Sequence, residues 1–176
     1  QPPDVLSSVE IDKLLDVAED QDRLWILMGA DAGLRVSEMI QISPDHVVPG
    51  SRILWVMGKG HKRRELPITD RLGAEFRKAD LIRTAHGVPE SRPYVDVSTR
   101  TVQRHFKTLS RRAGILTAGR TPHTLRHSYA TRLADARVPL PMVQRLMGHS
   151  KLTTTAVYLH SSPNAMHKAA RDLEDF

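Results

Sequence analysis

Residues 24–30 read Leu-Trp-Ile-Leu-Met-Gly-Ala, and this short segment constrains the fold more than any other part of the sequence. Asp22 is a residue type that begins helices and Gly33 is one that ends them, so we predict a helix over residues 23–32. A helix that is apolar nearly all round must be buried on every side. The chain has 176 residues, 40% of them apolar, which is enough to surround this helix with one core.

Further helices are predicted from apolar periodicity, capping residues and glycine stops. Ser7 and Glu10 have the capping-box spacing in front of an apolar stripe, which predicts a first helix that runs to about Glu19. The other predicted helices cover residues 36–42, 69–84, 98–113, 122–137, 141–147, 153–160 and 164–175.

Two β-rich runs, residues 52–57 and 63–68, flank the sequence Gly58-Lys59-Gly60-His61-Lys62. This pattern predicts a β-hairpin with Lys59 at or near its tip, and we expect residues 93–97 to add a third short strand to it. The predicted fold class is therefore mainly α with a small antiparallel β-sheet (α+β). Residues 7–176 are expected to form one domain behind a linker-like segment, residues 1–6.

Charge is segregated along the chain, which has a net charge of +6. Residues 1–50 hold three basic and ten acidic residues, whereas residues 51–176 hold 23 basic and ten acidic ones. Between residues 97 and 134 every charged side chain is basic: Arg100, Arg104, Lys107, Arg111, Arg112, Arg120, Arg126 and Arg132. The prevalence of arginine favours contacts with nucleic-acid phosphates, and a solvated helix face is the alternative.

Several kinds of site are not indicated by the sequence. There is no cysteine, so disulfides and thiolate zinc sites are excluded and the reducing cytosol is the expected compartment. No stretch approaches the ~18 consecutive apolar residues of a membrane span, and we expect no membrane partner. Gly58-Lys59-Gly60 lacks the spacing of a nucleotide P-loop, and His123 and His127 lack the glutamate of a zinc-protease helix. We therefore expect no cofactor and no metal.

The remaining polar candidates lie at breaks between predicted elements. Arg35 lies between two apolar helices and therefore needs an anionic partner. That partner is either an anionic ligand or Glu38, three residues later. His123 and Arg126 lie three residues apart on one face of a predicted helix. The other candidates are Lys59 in the hairpin turn, His149 after Gly148, and Tyr158, which as a lone residue would indicate core packing.

Five motifs occur in a specific order: A-G-L-R-x-S-E at 32–38, G-K-G-x-K-x-R at 58–64, H-x-L-R-H at 123–127, L-x-G-H-S at 146–150, and a tyrosine nine residues after His149. Together they resemble the catalytic domain of the tyrosine recombinases, the phage-integrase family, over essentially the whole chain. The resemblance implies that Tyr158 attacks a DNA phosphate to give a 3′-phosphotyrosyl link and a free 5′-hydroxyl, without metal or ATP.

The resemblance also implies a role for each matching residue. Arg35 and Arg126 would clamp the nonbridging phosphate oxygens, with Glu38 as their acidic support. Lys59 would protonate the leaving oxygen, His123 would assist proton transfer at Tyr158, and His149 would donate to a nonbridging oxygen.

Double-stranded DNA is the implied partner, contacted by a basic helix through Arg100, Arg104, Lys107 and Arg111. The amphipathic helix 164–175 is expected either to dock on a neighbouring protomer in a tetramer or to pack on its own domain. The family's N-terminal helical domain is absent from the sequence, so we expect a catalytic fragment. Accessory directionality proteins and a cytoplasmic, nucleoid-associated location are also implied.

Two other functions remain open from the sequence. One is DNA relaxation like that of a type IB topoisomerase, which uses similar chemistry. The other is a helical DNA-binding module without catalysis, in which Tyr158 belongs to the core.

Overall fold

The computed structural model describes residues 4–48, 50–58, 63–115 and 119–148. Within these ranges the helices are α1 (Ser8–Val17), α2 (Asp20–Ala32), α3 (Val36–Met39), α4 (Asp70–Ala85), α5 (Thr99–Arg112), α6 (His123–Asp135) and α7 (Leu140–Met147). The strands are β1 (Val47–Val48), β2 (Ile53–Met57) and β3 (Arg63–Pro67), and a 3-10 turn covers Pro44–His46. The helices predicted at 153–160 and 164–175 lie outside the described residues.

Helix α2 is the centre of the domain, as its sequence predicts. Its residues from Leu24 to Ala32 are all buried, and it packs against α1, α4 and α6. The helix begins earlier than predicted, because Glu19 is its N-cap. Asp22 lies within the first turn, where its carboxylate accepts from the indole N–H of Trp25 at 2.8 Å. Gly33 ends the helix in the left-handed conformation, as expected of a glycine stop.

The other helix predictions that fall on described residues are confirmed to within a few residues. The Ser7–Glu10 capping box is present at the start of α1, and Ser98 caps α5. Helix α3 is shorter than predicted, since it ends at Met39, and α6 ends at Asp135. The residues that follow each of these two helices are in turns.

The small sheet is antiparallel with the strand order β1-β2-β3. The predicted hairpin is confirmed, with Leu54 opposite Leu66 and Val56 opposite Arg64. These four side chains lie on the buried face, so β3 places one arginine among apolar neighbours.

The predicted strand at residues 93–97 is wrong, because β1 occupies the edge of β2 instead. Only a short turn joins β1 to β2, which makes their pairing local. The Tyr94 N–H donates to the Ile42 carbonyl at 2.8 Å, and the Tyr94 ring packs against Phe76. The segment therefore contributes apolar side chains to the core without joining the sheet.

A buried carboxylate, Asp31, ties three helices together. It accepts from Arg71 Nε and Nη2, both at 2.6 Å, and from the Thr69 hydroxyl at 2.8 Å. Arg132 of α6 approaches the same carboxylate at 3.3 Å. Burial alone would raise the pKa of Asp31, but the hydrogen bonds and charge of Arg71 lower it, so the group stays ionised.

The N-terminal segment packs on α6. Leu6 is buried, and its N–H donates to the Ser128 hydroxyl at 2.7 Å. That hydroxyl donates in turn to the Thr124 carbonyl at 2.8 Å. Arg120, just before α6, pairs with Asp4 at 3.0 Å and Glu10 at 2.8 Å. Hydrogen bonds therefore run from residue 6 to the first turn of α6.

None of the helices in the described part of the chain is long and apolar enough to cross a membrane.

Gly33→Ala tests the close packing at the end of α2. Gly33 has φ of 64°, and a Cβ there would lie 2.4 Å from Cδ1 of the buried Tyr129 ring. We expect the substitution to lower the free energy of unfolding by about 2–4 kcal/mol, since strain and overpacking add. Gly114→Ala is the matched control, with φ of 69° and open space around it. It should cost only about 1–2 kcal/mol. Urea unfolding measures both, and equal losses would contradict the packing explanation.

Candidate functional site

Glu38 lies at the centre of the candidate site, buried at the first turn of α3. Its Oε2 accepts from the Arg35 backbone N–H at 2.8 Å, which caps the short helix. Its Oε1 lies 3.1 Å from Arg35 Nη1. The ion pair considered from the sequence is therefore present. It leaves the Arg35 side chain 36% exposed, so the guanidinium still reaches the surface.

Arg64 of β3 makes the most extensive contact with Glu38. Its Nη1 and Nη2 donate to Oε1 and Oε2 at 2.8 and 2.9 Å, which is the two-pronged geometry that suits a guanidinium and a carboxylate. The third donor, Nε, bonds to the Leu146 carbonyl at the end of α7 at 3.2 Å. Arg64 thus joins the sheet, α3 and α7.

Arg126 of α6 is also buried beside Glu38, with its Nη1 4.0 Å from Oε2. Its Nη1 donates to the Gly33 carbonyl and its Nη2 to the Met147 carbonyl. Backbone groups at the ends of α2 and α7 therefore fix the direction of this guanidinium.

The cluster has more positive than negative charge. Burial alone would raise the pKa of Glu38, but the hydrogen bonds and charge of Arg64, the Arg35 N–H and the charge of Arg126 lower it. The carboxylate is therefore ionised at neutral pH, and it balances only one of three guanidiniums. The excess charge favours binding of an anion next to Arg35 and Arg126.

His123 begins α6 and is exposed. Its pKa lies below 6.5 because partial burial and the charges of Arg126 and Arg35 all disfavour the imidazolium. His123 lies three residues before Arg126 on α6, so the two side chains lie on the same face of that helix. At neutral pH the imidazole is uncharged and can accept a proton. His127, one turn later, also has a lowered pKa, through burial and through the charges of His123 and Arg126.

Three of the predicted catalytic residues, Lys59, His149 and Tyr158, lie outside the described residues. The residues just before the first two are described: Gly58 follows β2, and Gly148 ends α7 with φ of 62°. A Cβ on Gly148 would lie 3.1 Å from Arg64 Nη1, so the last described residue before His149 lies against the Glu38 cluster.

The basic run between residues 97 and 134 divides into two groups. The predicted DNA-binding residues Arg100, Arg104, Lys107 and Arg111 are exposed along α5, opposite its buried face. None of these four forms an ion pair within the described ranges. Arg120 and Arg132 are instead paired with carboxylates, Arg120 with Asp4 and Glu10 and Arg132 with Asp31. Arg126 is buried in the Glu38 cluster. The positive charge available on the surface is therefore smaller than the sequence run suggests.

Arg64 is the residue that the sequence analysis missed. It ends the G-K-G-x-K-x-R motif, but the motif alone does not assign it a role. The alternation of exposed and buried side chains along β3 could have identified it. Arg64 lies two residues before Leu66, so both side chains point to the buried face of the sheet. A charged residue at an inward position predicts a buried partner.

The family model for the phage integrase family matches residues 4–165. The chain belongs to this family. It is 35% identical over 157 residues to the tyrosine recombinase XerC of Serratia marcescens, an alignment that covers 86% of this chain and 51% of that protein. The chain thus spans about half the length of this curated relative.

Solved structures share the fold of this phage integrase family chain. A crystal structure of XerA recombinase matches with a TM-score of 0.82 at 23% identity, over 98% of this chain and 66% of that one. A structure of XerH site-specific recombinase bound to a palindromic difH substrate, a post-cleavage complex, matches with a TM-score of 0.80 at 22% identity, over 99% and 54%. The predicted fold class, mainly α with a small antiparallel sheet, is confirmed. Within the described residues, no cluster of His, Asp or Glu could hold a metal ion.

Glu38→Gln tests the charge balance of the cluster. The pKa of Glu38 is lower in the folded than in the unfolded chain, so its stabilising effect is present above the unfolded value of 4.5 and is lost as pH falls through the folded value. We expect the variant to lose about 3 kcal/mol of unfolding free energy at pH 7, because Arg64 stays buried without its counter-charge. Urea unfolding of both proteins measures this loss. The difference in unfolding free energy between them should become smaller below pH 4.5.

The exposed Glu65→Gln is the control for this experiment and should change stability by less than about 0.5 kcal/mol at either pH. A Glu38→Gln loss that is the same at neutral and acidic pH would contradict the electrostatic explanation.

Proposed function

We propose that this chain is the catalytic domain of a site-specific DNA recombinase that cuts and rejoins DNA strands by transesterification through Tyr158. The observation that carries the proposal is the Glu38 cluster, in which three guanidiniums surround one carboxylate beside the neutral His123. Membership of the phage integrase family and the DNA in the related XerH structure support it.

The tyrosine inventory supports Tyr158 as the nucleophile. The chain has three tyrosines. Burial raises the pKa of Tyr94, whose hydroxyl also donates to Asp80 at 2.7 Å. Burial also raises the pKa of Tyr129 in α6. A buried phenol with a raised pKa is a poor nucleophile, and neither ring can reach a DNA strand. Tyr158 is the remaining candidate.

The charge excess suits phosphoryl transfer. As Tyr158 Oη attacks phosphorus, the nonbridging oxygens must be stabilised, and Arg35 and Arg126 supply fixed positive charge for them. The backbone carbonyls that hold Arg126 orient it before DNA binds, which avoids reorganisation during the reaction. Permanently protonated guanidiniums can perform this part of the chemistry without a metal ion.

Two proton transfers complete the step. The Tyr158 proton passes to neutral His123 as the bond from Oη to phosphorus forms. Lys59 protonates the 5′-oxygen as its bond to phosphorus breaks, and His149 donates a hydrogen bond to a nonbridging oxygen. The phosphotyrosyl ester has about the same energy as the phosphodiester, so a 5′-hydroxyl can reverse the reaction without ATP.

Assembly on DNA is also proposed. We infer that helix 164–175 docks on a neighbouring protomer to form a tetramer on double-stranded DNA, with accessory proteins that set direction. The whole protein would then act in the cytoplasm at the nucleoid. The exposed α5 stripe, Arg100, Arg104, Lys107 and Arg111, would lie along DNA phosphates.

Tyr158→Phe tests the chemistry. The chain is incubated with a pool of nicked DNA duplexes that carry a randomised segment at the nick, so that cleavage releases a short strand and traps the protein covalently. We expect the wild-type chain to form a covalent adduct and Tyr158→Phe to lower its yield by about 10³-fold or more, with DNA affinity retained. Denaturing gel electrophoresis measures the adduct.

Tyr94→Phe is the matched control and should give the wild-type yield, because its hydroxyl contacts Asp80 away from the site. Adduct formation by Tyr158→Phe at the wild-type yield would show that Tyr158 is not the nucleophile. DNA binding by the wild-type chain without any adduct would favour the non-catalytic DNA-binding module.

Arg104→Met tests the α5 stripe. If Arg104 contacts a phosphate, its loss should weaken DNA binding at all sequences and reduce the slope of log affinity against log salt by about 0.9. Fluorescence anisotropy over a series of KCl concentrations measures the slope. Lys78→Met removes a similarly exposed cation on α4, paired with Asp20, and should leave the slope unchanged. Equal slopes for all three proteins would identify the stripe as a merely solvated face.

A further inference from the structure

Arg64 is the one charged residue among apolar side chains on the buried face of β2 and β3. It lies between Leu54, Val56 and Leu66 on the inner face of the sheet, and its side chain is 7% exposed. Burial of a guanidinium and a carboxylate together gives little net stability compared with apolar side chains of the same size. Stability alone therefore does not explain an ion pair at this position.

The geometry of Arg64 fixes Glu38 in one orientation. Two nitrogens hold both carboxylate oxygens, at 2.8 and 2.9 Å, and Nε holds the Leu146 carbonyl at 3.2 Å. A planar guanidinium with three such bonds to two different elements cannot rotate without breaking at least one of them. Glu38 is therefore locked in the plane of Arg64.

The locked carboxylate sets the position of Arg35 directly, whereas Arg126 is linked to Arg64 mainly through the end of α7. Oε1 accepts from Arg35 Nη1 at 3.1 Å, and Oε2 lies 4.0 Å from Arg126 Nη1. Arg64 and Arg126 also hold consecutive carbonyls at the end of α7, those of Leu146 and Met147. These late carbonyls have no partner within the helix, and cations are favoured next to them.

We propose that Arg64 is a positioning residue for strand cleavage: it acts on Arg35 through Glu38, and on Arg126 through the end of α7, to aim both at the nonbridging oxygens of the scissile phosphate. Arg64 itself does not touch DNA, because its side chain is only 7% exposed and Nε, Nη1 and Nη2 each donate to a group inside the protein. The inference rests on the proposed function, since it concerns the rate of that reaction.

The test compares Arg64→Met and Arg64→Lys with the wild-type chain on one nicked duplex, chosen from those that the wild-type chain captures. Met keeps the volume of the side chain without charge, whereas Lys keeps the charge but cannot bond both oxygens and Leu146 in one plane. We expect the single-turnover rate of adduct formation to fall about 10–100-fold, as for other supporting residues around a reactive centre. Affinity for DNA should change by less than about threefold, because Arg64 makes no phosphate contact.

A substrate with an uncharged scissile group distinguishes a positioning role of Arg64 from a general structural defect of the variants. The same duplex is made with a methylphosphonate at the scissile position, which replaces one charged nonbridging oxygen by a methyl group. If Arg64 acts by aiming positive charge at those oxygens, the ratio of wild-type to variant rates should shrink towards one on this substrate. A purely structural defect would slow both substrates by the same factor.

Arg71→Met is the matched control for stability. Arg71 holds the buried Asp31 as Arg64 holds Glu38, and its polar contacts are with Asp31 and Asp12 and not with Glu38. It should lower the free energy of unfolding to a similar extent and leave the rate of adduct formation near the wild-type value. If Arg64→Met does not fold, the double variant Glu38→Leu/Arg64→Met removes the Glu38–Arg64 ion pair as a whole, leaves Arg126 bonded to the Gly33 and Met147 carbonyls, and should show the same substrate-dependent defect.

The outcomes are distinct. No adduct with the wild-type chain overturns the proposed function and this inference with it. A wild-type adduct together with wild-type rates for the Arg64 variants, or for the double variant if it is needed, overturns the positioning role alone. An equal loss on the phosphodiester and the methylphosphonate also overturns it.

Discussion

The carboxylate of Glu38 is the contact on which the rest of the site depends. Glu38 belongs to α3, but its carboxylate binds Arg64 of β3 and lies near Arg126 of α6. The same carboxylate accepts a hydrogen bond from the Arg35 backbone N–H at the start of α3. Loss of its charge would leave buried guanidiniums without a counter-charge, at a cost of several kcal/mol. One anion among three cations keeps the cluster folded and still leaves positive charge for a phosphate.

The architecture around this cluster follows from α2. Because that helix is buried on all sides, α1, α4 and α6 must pack around it, and both of its ends then lie next to polar groups. Asp31 near its C-terminal end binds Arg71 and Arg132, and the Gly33 carbonyl binds Arg126. The apolar helix thus places two charged clusters within a few residues of one another.

Local patterns predicted most of the fold. The capping box at Ser7, the apolar run of α2 and the glycine-flanked hairpin depend on neighbours in sequence, and each is present in the structure. The strand predicted at 93–97 is wrong because strand pairing depends on contacts between segments distant in sequence. In the structure the Tyr94 N–H bonds to the Ile42 carbonyl, and β1 is the third strand of the sheet.

The site was predictable only in part, for the same physical reason. The Arg35–Glu38 pair is three residues apart and could be considered from the sequence. The contacts of Arg64 with Glu38 and Leu146 span 26 and 82 residues, and those of Arg126 are made to backbone carbonyls, which carry no sequence signal. The ion pairs of Arg120 and Arg132 could not be predicted either, since a count of charged residues does not reveal which of them meet in the fold.

The path of hydrogen bonds from Leu6 through Ser128 to Thr124 has a mechanical consequence. Thr124 is adjacent to His123, so two hydrogen bonds connect the backbone at residue 6 to the turn of α6 that carries the imidazole and, one turn further on, Arg126. The position of the N-terminal segment and the position of this turn are therefore linked by polar contacts and not only by apolar packing.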